Sequence, residues 1–139
     1  PFQAIPFAYS LPLPLLKFLR KSLDKTFEKL AFAPSADPSL LEEEKKARNR
    51  NPMQVIKALL QGMRAIPRLQ LDQLNLATLI ICGKLDKLIP LESVKAGYQH
   101  LPQHELQVLE NAAHLVHLEK SEEVNRLLDA FLAAPLSSE

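Results

Sequence analysis

The sequence is poor in cysteine, in net charge and in unbroken apolar runs, and each scarcity removes a class of function. A single cysteine, Cys82, among 139 residues excludes an internal disulfide. Its place in the apolar run Thr78 to Cys82 predicts a buried, unreactive thiol. A reducing compartment, the cytoplasm, fits that usage. Seventeen basic residues stand against sixteen acidic ones, a formal net charge of +1, so no long-range field selects nucleic acid or an anionic membrane as partner. The longest apolar stretch, Ile5 to Leu16, is cut by Pro6, Pro12 and Pro14 and falls short of the ~20 residues of a membrane span. Pro1 stands where a start Met would be, and no basic segment leads into an apolar one. No leader peptide is therefore expected, and the chain is expected to begin inside a longer protein. His114, His117 and Glu119 lie close in sequence, but no further cysteine and no helical H-E-x-x-H spacing joins them, so neither a metal nor a cofactor is expected.

What is present is a globular chain with two different patterns. Apolar residues make up 47% of it, enough for a core. Eight of the eleven prolines lie between Pro1 and Leu74 and cut that half into short helical pieces. Leu15, Phe18, Leu19, Leu23, Phe27, Leu30 and Ala31 follow the i, i+3, i+4 rhythm of a helix over Leu15 to Phe32. Asp37-Pro38 reads as a cap followed by a first-turn proline, opening a second helix over Ser39 to Arg48 whose charges form a solvated face. Asn51-Pro52 repeats the signal for a third helix through Met53, Ile56, Leu59, Leu60 and Met63, the methionines serving as core.

After Pro67 the pattern becomes strand, loop, helix, strand, loop, helix, the order of an α/β fold. The β-rich run Thr78 to Cys82 ends at Gly83 and releases Asp86 into a loop; a second run, Leu106 to Leu109, ends at Asn111 and releases His114. Pro90 opens the intervening helix through Val94 and Tyr98, and Ser121 is expected to cap a last helix with the stripe Val124, Leu127, Leu128 and Phe131. In open parallel sheets the crevice outside the carboxyl ends of the strands holds ligands and chemistry. Asp86 and His114 are both expected there.

The segments Cys82 to Pro90, CGKLDKLIP, and Asn111 to Leu132, NAAHLVHLEKSEEVNRLLDAFL, closely resemble the C-terminal part of the α/β-hydrolase fold. In that family the penultimate strand is followed by G-x-x-D-x-x-[VI]-P and the last by a histidine in a G-H-x-x-x-x-E context. Gly83, Asp86, Ile89, Pro90, His114 and Glu119 fill those places, with the histidine 28 positions after the acid. Ala113 replaces the usual glycine and Lys120 a frequent proline. The resemblance implies two parallel strands with flanking helices over residues 75–139, preceded by an all-helical lid over residues 1–74. It also implies that Asp86 is the catalytic acid and His114 the catalytic base.

The same family needs a G-x-S-x-G turn for its nucleophile. Glycines occur only at 62, 83 and 97, separated by 21 and 14 residues, so that turn is absent and is expected N-terminal to Pro1. The reading is therefore the lid and C-terminal part of a serine hydrolase acting on a small, hydrophobic ester or acyl compound. Its partner is a missing N-terminal half that carries the nucleophile. The alternative is a non-catalytic, truncated interaction module. Phe2, Phe7, Leu11, Leu13, Leu15 and Leu16 make the lid apolar. His117 is expected to pack in support of the loop, and His100 and His104 to be exposed and without a role.

Overall fold

The computed structural model describes residues 10–62 and 73–134. Expectations that fall on Phe2, Phe7, Met63 and the tail beyond Ala134 lie outside those residues. Two compact units divide the described chain: residues 10–29 with 37–62, and residues 30–36 with 73–134.

The first unit is built from α1 (Leu13–Ala31), α2 (Pro38–Asn49) and α3 (Met53–Gly62); the last two residues of α1 belong to the second unit. Helix α1 starts two residues earlier than its pattern predicts because Pro14 sits in the first turn, where an N–H has no intrahelical acceptor to lose. Leu16 is fully buried and Leu19, Leu23 and Phe27 are half-buried, whereas Leu15 and Phe18 are exposed. The expected stripe therefore holds from Leu19 to Ala31, while in the first turns Leu16 is covered in place of Leu15 and Phe18. The capping of α2 is as expected: Asp37 Oδ1 accepts from the Ser39 N–H at 2.8 Å, with Pro38 in the first turn. The charge run that follows is mostly exposed, but Arg48 is not simply solvated. It lies within 3.5 Å of Asp24, 2.8 Å of Glu28 and 3.3 Å of Glu44, and 4.8 Å from the Phe27 ring centre. Arg20 donates to the carbonyls of Arg48 and Asn51, each at 3.1 Å, which satisfies acceptors at the end of α2. In α3, Met53 is buried as expected and Leu59 is exposed.

The second unit contains β1 (Thr78–Gly83), α4 (Leu91–Tyr98), β2 (His104–Leu109), α5 (Val116–Glu119) and α6 (Ser121–Ala133). The two strands pair in parallel, from Thr78 opposite His104 to Gly83 opposite Leu109. Strand β2 starts two residues before the apolar run because its ladder with β1 continues past the buried positions. Leu109, Ala112 and Val124 form the core, with Ile81, Val116 and Leu127 packed against them; full burial of a Leu or Val side chain contributes about 1.5–3 kcal/mol. Cys82 is buried in β1, and burial, followed by the nearby Asp86 charge, pushes its thiol up against the smaller opposing pull of Lys95.

Two expectations for α6 are corrected. Lys120, not Ser121, occupies the cap position, and no side chain makes a capping hydrogen bond. The reason lies in α5: the Lys120 N–H still bonds the Val116 carbonyl, so the chain leaves one helical turn and enters the next with a single non-helical residue between them. Ser121 is already helical, and Glu122 and Glu123 supply the negative charge that the first turn favours. Leu128 is 41% exposed and stands off the stripe formed by Val124, Leu127 and Phe131. Among the described residues no helix is long and apolar enough to cross a membrane, and no group of three or more His, Cys, Asp or Glu side chains gathers as a metal site.

Candidate active site

Because β1 and β2 run parallel with Gly83 opposite Leu109, both carboxyl ends reach the same edge of the sheet at the same level. The pairing then continues into the loops. Lys84 N–H donates to the Leu109 carbonyl and Leu85 N–H to that of Ala112, each at 2.9 Å. This close approach requires glycine at position 83, since a Cβ there would collide with the backbone oxygens of Ala112 and Ala113.

Asp86 is buried at the turn that follows β1. One carboxylate oxygen, Oδ1, accepts from the N–H groups of Leu88 at 2.8 Å and Ile89 at 2.9 Å. The other, Oδ2, lies 2.9 Å from His114 Nδ1. The two residues singled out from sequence are therefore brought together, and the carboxylate is held by its own loop so that only one oxygen addresses the imidazole. A carboxylate beside Nδ1 assigns the proton there and leaves Nε2 as the ring's basic atom.

The electrostatics follow from this geometry. Burial pushes the Asp86 carboxyl up, but the His114 hydrogen bond, the N–H groups of Ile89 and Leu88 and the imidazolium charge outweigh it, so the group stays below the ordinary carboxylate value. The hydrogen bond to Asp86 raises His114, half-burial opposes, and the Asp86 charge adds to the rise, leaving the imidazole above its ordinary value. With 31% of its side chain exposed, His114 remains reachable.

The loop carrying His114 is fastened at three points. The His114 N–H donates to the Ala31 carbonyl at 2.9 Å. Glu119 Oε1 accepts from the Ala113 N–H at 2.9 Å, and its Oε2 accepts from the Ala33 N–H at 2.8 Å. The Ala33 anchor could not be read from the sequence, since 86 positions separate it from Glu119. The other histidines are placed differently. His117 is exposed on α5 rather than packed, whereas Val116 and Glu119 of the same turn are half-buried. His100 and His104 are exposed as expected, although His104 Nδ1 lies 2.7 Å from the Leu101 carbonyl. Leu115 and Val116 are half-buried beside the histidine. Tyr98, 37% exposed, lines a cavity of about 210 Å³ with Val94 of α4 and Ile80 and Leu106 of the sheet; neither Asp86 nor His114 lines it.

No protein-family model matches the sequence, and no curated protein matches it. Solved structures do. A thermophilic esterase superposes with a TM-score of 0.72 at 25% identity, over 94% of this chain and 51% of the other. A thermophilic esterase from Thermogutta terrifontis gives a TM-score of 0.78 at 22% identity, over 93% and 51%. The 2-hydroxy-6-oxo-6-phenylhexa-2,4-dienoate hydrolase of a Rhodococcus species gives 0.69 at 24% identity, over 96% and 52%. The chain spans about half the length of each of these structures. Its parallel strands, flanking helices and structural neighbours together show the fold of the α/β-hydrolases.

Proposed function

We propose that this chain supplies the acid and base of a serine hydrolase that cleaves a small, apolar ester or related acyl compound. The observation that carries the reading is the 2.9 Å contact between Asp86 Oδ2 and His114 Nδ1, formed where two parallel strands end together. His114 Nε2 takes the proton of a nucleophilic hydroxyl and later returns it to the departing alcohol. Asp86 fixes the tautomer and stabilises the imidazolium that forms in between. The nucleophile and the donors that stabilise the oxyanion lie outside this sequence, which has no pair of glycines four residues apart. The helices of the first unit act as the lid; their apolar residues and the esterases among the structural neighbours support an apolar ester as substrate.

In the full-length protein, His114→Ala should lower kcat by roughly 10³-fold or more, since both half-reactions lose their proton carrier. His117→Ala should have little effect, because that ring is exposed and is not held against Asp86. Steady-state kinetics on an activated ester decides. Full turnover in His114→Ala together with its loss in His117→Ala would overturn the assignment.

A further inference from the structure

We propose that Glu119 is a positioning residue for His114, its carboxylate clamping the loop before the histidine to the segment that follows α1. This rests on the reading of His114 as the base, but the contacts exist independently of it. Glu119 uses its two oxygens on two different strands of chain: Oε1 accepts from Ala113 N–H and Oε2 from Ala33 N–H. Both donors are in buried residues, Ala33 at 4% exposure and Ala113 at 0%. Removing the acceptor would leave two buried N–H groups without a partner, each a loss of hydrogen bonding that water cannot readily make good.

The arrangement closes a ring. Ala113 precedes His114, whose own N–H donates to the Ala31 carbonyl, two residues before Ala33. Thus residues 31 and 33 hold residues 114 and 113, one directly and the other through Glu119. The last turn of α1, just before that segment, touches the acid's loop, where the Lys87 N–H lies 3.4 Å from the Leu30 carbonyl. Residues 30–33 are therefore a shared backbone frame for the loops of Asp86 and His114. A carboxylate suits the bridging position because it is acceptor-only and can receive at both oxygens. Glutamine of the same shape has one carbonyl oxygen and one NH₂, so it can satisfy one N–H and must turn a donor toward the other.

The test uses Glu119→Gln in the full-length protein. The expected results are a 10- to 100-fold fall in kcat with KM little changed, as expected when a base is slightly misplaced, and a lower pH midpoint for the His114 imidazole by NMR as its contact with Asp86 loosens. Hydrogen exchange at Ala33 and Ala113 should accelerate together. Glu122→Gln, an exposed first-turn change, should alter none of these. A Glu119→Gln protein with the wild-type His114 midpoint and wild-type exchange at both amides would overturn the proposal. If that variant does not fold, exchange in the unmutated protein decides: common, strong protection of the Ala33 and Ala113 amides supports the clamp, and loop-like exchange at either one refutes it. Should His114→Ala retain turnover, the base assignment fails, while the imidazole titration and the exchange still report on the clamp.

Discussion

A carboxylate with one oxygen committed to its own loop and the other to an imidazole makes a pair that responds to pH from both sides. Asp86 titrates below its ordinary value when folded, so its contribution to stability is present above the ordinary carboxylate range and disappears as pH falls through the lowered value. His114 titrates above its ordinary value, so its contribution is complete below the ordinary imidazole value and disappears as pH rises through the raised one. The pair therefore stabilises most in the window between those ordinary values. Activity depends on the same group in the opposite sense, because the base must be neutral. The acidic limb of kcat/KM in the full-length protein should lie above the ordinary imidazole value, and Asp86→Asn should move it to lower pH while reducing kcat. Rate measurements across pH test this; a limb that stays put in Asp86→Asn would show that Asp86 does not set the titration of His114.

At the scale of elements, the site depends on how closely β1 approaches the turn after β2. Gly83 ends β1 where side-chain space is occupied by the backbone of Ala112 and Ala113. Gly83→Ala should push that turn away, at a cost of about 1–3 kcal/mol in the manner of overpacking, and should displace His114 with it. Thermal melting should show the lowered Tm, and kinetics a loss in kcat; a variant as stable and active as the parent would mean that the turn relaxes freely. The helices show where local patterns are sufficient. The start of α2 was readable because a cap and a first-turn proline act through neighbouring residues. Cap identity at α6 was not, because Lys120 is fixed by the short helix before it. The exposure of Phe18 and Leu128 shows a related limit, since periodicity gives the angular width of an apolar face but not which part of it finds a neighbour.

At the scale of the whole molecule, the second unit has a sheet of two strands among its described residues. Such a pair is marginal without further strands or packing, and an open edge is a template for pairing with another chain. Residues 1–139 prepared alone should self-associate, seen as concentration-dependent sedimentation, and should show no saturable turnover of an activated ester above that of free imidazole. A monomer with a sharp, cooperative melt would mean that the two units suffice as a core; turnover abolished by His114→Ala would mean that a nucleophile is present after all.

The sequence by itself determined the α/β order, the two strands, the capped second helix and the two residues that meet. Those features depend on neighbours a few positions away: period-two and period-3.6 apolar patterns, an Asp-Pro cap, and short loops after strands that place Asp86 and His114 beyond their ends. Tertiary structure alone decided the register that sets Gly83 against Leu109 and the collision that forbids a side chain at position 83. It also decided the use of residues 30–33 as a frame for both loops and the reach of Glu119 to Ala33 across 86 positions. These join segments whose separation along the chain leaves no periodic trace, because a hydrogen bond between a carboxylate and a distant backbone N–H constrains position in space and asks nothing of the residue type that donates.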